Sequence, residues 1–231
     1  MTKRKTARRK PAGGAGEPGL SLTDRAYDHL EEMIVTLQLP PGSAVSETAL
    51  SQRLGIGRTP IREALQRLAR ERLVTILPRR GIIVSEINVK SQLRLLEVRR
   101  EVERLVAKSA ARRATPAERA RFLELARRFE KSAKSNDDVA FMRVDREFNE
   151  LSVMAARNEF AAGAMSLMHS LSRRFWYIHY KQAADMPLTA KLHADIARSI
   201  GAGNAAAAGK AMDKLLDTVA KFTRDTVTTD F

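Results

Sequence analysis

The chain has 231 residues, enough for one large domain or two smaller ones, and 44% of them are hydrophobic, so it reads as globular. Forty-one Lys and Arg against 27 Asp and Glu leave a net charge of +14, which makes an anionic polymer a natural partner. No apolar run approaches the about 20 residues needed to span a bilayer, and no apolar segment follows the basic N-terminus to make a secretory signal. Cysteine is absent, which excludes disulfides and thiolate metal sites, so a cytoplasmic protein is expected.

Residues 1–20 open with KRKTARRK and continue through PAGGAGEPG, a basic cluster and a Gly/Pro/Ala linker with nothing to build a core; a disordered tail is expected. Leu22, Ala26, Leu30, Ile34 and Leu37 then recur at helical spacing from Ser21 to Leu39, with Ser21 and Asp24 as a start signal and Pro40-Pro41-Gly42 as a stop.

From Glu47 to Ala69 the sequence ETALSQRLGIGRTPIREALQRLA reads as two short helices joined by a tight turn at Gly55 to Gly57. Ile61, Ala64, Leu65 and Leu68 face one way in the second helix, and Pro60 sits in its first turn, where a missing N–H costs nothing. The opposite face must carry Arg58, Thr59, Arg62, Gln66 and Arg67, side chains suited to phosphates and base edges. LVTIL and GIIVSEI follow as two strands around Pro78-Arg79-Arg80, which puts Arg79, Arg80 and Gly81 at the tip of a hairpin. Gross charge does not locate a binding surface, because residues 1–90 and 91–231 each carry a net +7. The run from Arg53 to Arg80, with eight basic and two acidic residues, locates it better.

LSQRLGIGRTPIREALQRLARERLV followed by LPRRGIIV resembles the winged helix-turn-helix of the GntR family of bacterial transcription regulators. Leu50, Leu54, Gly55, Arg58, Thr59, Pro60, Arg62, Glu63, Ala64, Leu65, Leu68, Pro78 and Gly81 carry the match. Gly57 departs from it, standing where the family usually has Ser or Thr. The resemblance implies a domain over 21–88 that reads double-stranded DNA with Arg58, Thr59, Arg62, Gln66 and Arg67 and touches the backbone or minor groove through Arg79, Arg80 and Gly81.

From 91 to 231 strand signals vanish and helical periods take over, separated by short breaks such as Thr115-Pro116 and Gly201-Ala202-Gly203-Asn204. One of these helices is expected to run unbroken from Glu159 to Lys181. The whole should be an antiparallel all-helical bundle, making the fold mainly α. EVRREVERLVAKSAARRAT, DREFNELSVMAARN and HADIARSIGAGNAAAAGKAM are similar to stretches of the FCD effector-binding domain of the family's FadR-like branch. Many FCD domains hold a divalent metal through one Asp and three His, and the metal helps hold a carboxylate. By that resemblance Asp145 and His193 match two ligands, while Asn149 and Leu215 fall where the other two histidines would be. The expectation is no tight metal site, only a remnant at Asp145 and His193 with room for a weakly held divalent ion, and no other cofactor. The effector-binding residues would be Arg99, Asp145, Asn149 and His193, for an organic acid or other carboxylate. Two alternatives stay open: His193 as a hydrogen-bonded core histidine, and Arg99 as an i,i+4 ion pair with Glu103.

No Gly-rich phosphate loop and no nucleophile arrangement speaks for an enzyme. The reading is a cytoplasmic homodimeric transcription regulator, a repressor by the family's habit, that binds an inverted-repeat operator and answers to a small metabolite. A nonspecific architectural DNA-binding protein is the alternative.

Overall fold

The computed structural model describes residues 20–79, 81–183 and 185–229. Helix α1 (Leu22–Val35) opens where Ser21 accepts the Asp24 N–H at 3.0 Å, a capping bond that satisfies one of the helix's free donors. It ends at Val35, four residues before the expected Leu39. Leu37 has a left-handed φ of 63°, and the Leu39 N–H closes back on the Met33 carbonyl at 2.9 Å. The turn therefore forms before the prolines, which an apolar period running through Leu37 does not reveal.

A two-residue strand β1 (Ala44–Val45) precedes α2 (Glu47–Leu54) and α3 (Arg58–Arg70). Gly55 closes α2 at φ 63°, a conformation that costs a residue without Cβ little. Gly57 caps α3 with no side-chain bond, so the departure from the family pattern leaves the first N–H groups of α3 without a hydroxyl. Strands β2 (Val74–Leu77) and β3 (Gly81–Val84) form the expected hairpin, pairing Val74 with Val84 and Leu77 with Gly81. β1 adds to the far edge of β3 in an antiparallel sheet of order β1-β3-β2. Two residues are too few to show an alternation, which is why this strand is not legible beforehand. Leu30, Ile34, Ile61, Leu65, Leu68 and Leu73, none more than 2% exposed, fill the core between sheet and helices.

Helix α4 (Val89–Arg113) starts directly after the sheet, capped by Asn88, whose side chain accepts the Ser91 N–H at 2.9 Å. Thr115 and Glu118 form a capping box at the start of α5 (Pro116–Ser135), and Asp137 caps α6 (Asp138–Ala156). The expected single helix from Glu159 to Lys181 is in fact two, α7 (Glu159–Ser166) and α8 (His169–Ala183). The break leaves no mark in the apolar pattern because Ala161, Met165 and Met168 stay buried across it, packed with Val106 of α4. α9 (Met186–Gly201) takes Pro187 into its first turn under an Asp185 cap, and α10 (Ala205–Thr229) closes the bundle.

The bundle packs α5 on α9, α10 on α4 and α9, and α6 on α4. At Gly201 a Cβ would lie 2.8 Å from Leu123 and 3.1 Å from the Arg119 carbonyl, so α9 approaches α5 as closely as only glycine permits. Phe122, Phe129, Phe141 and Phe148 form the centre, with ring centroids 5.7 to 6.1 Å apart. Among the described residues no helix is long and apolar enough to cross a membrane.

Candidate functional site

Two sites emerge, one in each half. The exposed face of α3 and the β2–β3 hairpin enclose an open groove of about 570 Å³, and Arg58, Arg62, Gln66, Arg79 and Gly81 all line it. Thr59 stands exposed in the first turn of α3, beside Arg58. Helix periodicity aims Arg58, Thr59, Arg62 and Gln66 outward because Ile61, Ala64, Leu65 and Leu68 take the inward positions. Arg67 lies apart from them. It stacks on the Tyr27 ring, 3.6 Å from its centroid, and pairs with Asp24 at 3.6 Å and Glu71 at 3.4 Å, so it ties α3 to α1. Arg80, expected at the hairpin tip, falls outside the described residues.

Sequence reasoning missed Glu47. Arg62 donates to it through Nε at 3.0 Å and Nη2 at 2.9 Å, and Arg58 reaches it at 3.8 Å. The Arg62 hydrogen bond holds the Glu47 carboxyl below the usual carboxylate range. Glu47 thus orients both arginines in advance and also subtracts a charge from the groove. Glu47→Gln is expected to raise affinity for random DNA and to steepen the salt dependence by about one counterion while narrowing the preference for a specific site. Fluorescence anisotropy against potassium chloride concentration checks it.

The second site is a cavity of about 90 Å³ inside the bundle, room for a few waters or a small ligand group. Its wall combines Phe141, Phe148, Phe175, Trp176 and Leu215 with Arg99, Glu103, Asp145, Asn149, His169, Arg173 and His193. All four expected effector residues therefore meet in one place. Asp145 Oδ1 lies 3.1 Å from His193 Nε2. His193 Nδ1 lies 2.8 Å from the Thr189 carbonyl, which can only accept, so that nitrogen carries a proton. The Asn149 amide nitrogen donates to Asp145 Oδ1 at 3.1 Å and to the Asp145 carbonyl at 2.9 Å. Arg99 donates to Glu103, so the i,i+4 ion pair weighed for Arg99 is present, and it lies in the cavity wall. The imidazole of His193 is enclosed by Phe129, Phe141 and Phe148 at 5.1, 5.4 and 6.0 Å.

Residues 94–218, more than half of the chain, match the FCD domain, and residues 22–84 match the bacterial regulatory proteins of the gntR family. The chain is a GntR-family protein with an FCD domain. It is 25% identical to the HTH-type transcriptional repressor RspR of Escherichia coli (strain K12) over 209 residues, which cover 90% of this chain and 91% of RspR. It is 45% identical over 62 residues to an uncharacterised HTH-type transcriptional regulator of Streptomyces ambofaciens, a stretch covering 27% of this chain and only 26% of that one. The structure of E. coli McbR/YncC has the same fold, with a TM-score of 0.77 at 18% identity over 90% of this chain and all of that one. The protein is accordingly a DNA-binding transcription regulator, not an enzyme.

FCD domains of this GntR branch imply a metal, and the residues here fit one poorly. Asp145 and His193 meet, but Asn149 turns its amide nitrogen toward Asp145, and Leu215 presents only carbon to the cavity. His169 lines the same wall, yet among the described residues no three His, Cys, Asp or Glu side chains converge on a point where an ion would sit.

Burial and neighbouring charges act against one another on the titratable groups of the cavity. Burial pushes the Asp145 carboxyl up, but His193, His169 and Arg173 pull it further down, so it stays below the usual carboxylate range. Burial lowers the His169 imidazole; Asp145 and Glu103 oppose this, and Arg173 and Arg99 add to it. A histidine whose folded value is depressed binds fewer protons folded than unfolded, so stability falls as pH drops from 7.5 through the ordinary histidine range and levels off below the folded value. His169→Gln is expected to flatten that part of the profile, read as thermal midpoint between pH 7.5 and 5.5. An unchanged slope would count against a buried neutral His169.

Helix α8 also carries the contacts between the two halves, which the sequence did not announce. Arg173 Nη1 donates to both Glu31 oxygens of α1 at 2.8 and 3.1 Å. Arg174, 1% exposed, donates to the Ser85 carbonyl at 2.5 Å just beyond β3, and its Nε has no partner among the described residues. Burial holds its pKa down to about 10, with Glu86 opposing.

Proposed function

We propose that this regulator acts in the cytoplasm as a homodimer on an inverted-repeat operator and represses until a carboxylate metabolite enters the bundle. The observation that carries the effector half is the cavity itself: an apolar enclosure whose wall holds two arginines, suited to a ligand with an acidic head and an apolar body. The groove between α3 and the hairpin supports the DNA half, with Arg62 and Arg58 as base readers, Thr59 and Gln66 positioning them, and Arg79, Arg80 and Gly81 at the backbone. One such helix covers too few base pairs for genomic specificity, whereas two related by a twofold axis double the site. The name of RspR supports repression as the direction. A nonspecific architectural role is disfavoured because such a protein has no use for a mostly apolar bundle cavity with charged side chains in its wall. Footprinting on sheared genomic fragments tests the reading: discrete protected inverted repeats are expected, and uniform protection would overturn it.

The donor set further supports an effector held without a tight metal. Protein purified without a histidine tag is expected to carry zinc, nickel or manganese well below one ion per chain, unchanged in His193→Ala. Near-stoichiometric metal that is lost in that variant would overturn the expectation.

A further inference from the structure

We propose that Arg173 couples the two halves by competition: an anionic ligand group in the cavity and the Glu31 carboxylate on α1 contend for the same guanidinium, so that ligand binding loosens the DNA-binding domain. This rests on the reading of the cavity as the effector site and adds how occupancy is transmitted.

The argument begins with where the charges in the wall find their partners. Arg99 is held by Glu103, and Asp145 by His193, both pairs closed within the cavity. Arg173 differs: it lines the cavity, yet its carboxylate partner belongs to the other half of the molecule. Its charge is felt inside, since it acts on both Asp145 and His169. A carboxylate entering the cavity therefore meets one cation whose existing partner lies outside the cavity. Arg prefers a two-pronged grip on a carboxylate, and one guanidinium gripped from the cavity side holds Glu31 less strongly.

Glu31 cannot give up Arg173 without consequence. Glu31 is 7% exposed, so losing its hydrogen-bonded cation leaves a buried carboxylate with the charge of Arg146 at longer range and no guanidinium gripping it, and α1 must shift to let water reach it. Helix α1 is in turn bound to the recognition helix and its end. Thr23 donates to Glu63 at 2.6 Å, Tyr27 donates to Glu71 at 2.7 Å, and Arg67 lies over the Tyr27 ring. A displacement of α1 thus moves α3. Linkage makes the coupling reciprocal: whatever removes Glu31 must strengthen the ligand by the factor with which the ligand weakens the Glu31 contact.

The test uses acetate, butyrate and benzoate as probes, each paired with its uncharged amide, titrated calorimetrically into the full-length wild type, Glu31→Gln and Arg173→Gln. Glu31 does not line the cavity, so a merely structural role would leave ligand affinity alone or lower it. The expected result is that Glu31→Gln binds the best carboxylate roughly tenfold more tightly than wild type, toward the low end of measured couplings, with its amide unaffected. Arg173→Gln loses the preference for carboxylate over amide. Hydrogen exchange of α1 should quicken in the same peptides in Glu31→Gln and in wild type saturated with that carboxylate. Equal carboxylate affinity in wild type and Glu31→Gln overturns the competition and leaves the cavity as an effector site. Failure of every carboxylate to bind even Glu31→Gln, where Arg173 is released, overturns the carboxylate reading and the competition with it.

Discussion

Replacing Arg62 with Ala is expected to weaken binding to the operator by about ten- to a hundredfold while changing random DNA far less. Arg62 lines the groove between α3 and the hairpin, exposed and already held by Glu47 along its Nε edge. That hold reduces the freedom lost when the guanidinium docks, because a side chain fixed beforehand has less entropy to give up. A bidentate contact to guanine would then be lost whole in the alanine variant. Anisotropy titrations on the footprinted operator and on a scrambled duplex at one salt concentration measure it. Equal losses on both would make Arg62 a phosphate contact and shift base reading to Arg58 or Gln66.

Phe129→Ala should cost about 3–5 kcal/mol of stability, the range for a fully buried aromatic. Phe129 is 0% exposed, and its ring meets Phe141, Phe148 and the His193 imidazole within 5.8 Å. It therefore holds the cavity in shape without lining it, and the variant should also lose its response to ligand. Phe160→Ala is the control, since that ring is 81% exposed and its removal should change stability by less than about 0.5 kcal/mol. Denaturant midpoints on both variants decide. A loss under about 1.5 kcal/mol for Phe129 would mean that the four-phenylalanine centre collapses around the gap.

The winged helix was legible because local signals agreed: Ser21 and Gly55 at helix ends, Pro60 in a first turn, and the apolar positions of α3 at helical spacing. Strand β1 was not, because a pair of residues gains its structure from β3 and from nothing in itself. The division into α7 and α8 hid for the opposite reason, the apolar face running through the bend as though the helix continued. In the cavity, Arg99, Asp145, Asn149 and His193 were singled out through likeness to a family pattern and do lie together. Glu103 was legible only as the i,i+4 partner of Arg99, and His169 and Arg173 match no motif of the family, so it takes the packing of α4 against α8 to put all three in the wall. Glu47 escaped notice because its value lies in facing Arg62 fifteen residues on, a distance set by the turn between α2 and α3.

Only residues 85–88 separate the end of β3 from the start of α4, and Arg174 grips the first of them. A joint that short cannot let each reading head wander. In the proposed dimer the bundle would fix the two heads like the points of a caliper, and DNA would be measured as well as read. Adding one base pair between half-sites moves the second by about 3.4 Å and turns it by about 34° around the duplex axis. Four residues pinned at one end would have to absorb both changes. The spacer between half-sites should thus discriminate operators as sharply as any base within them.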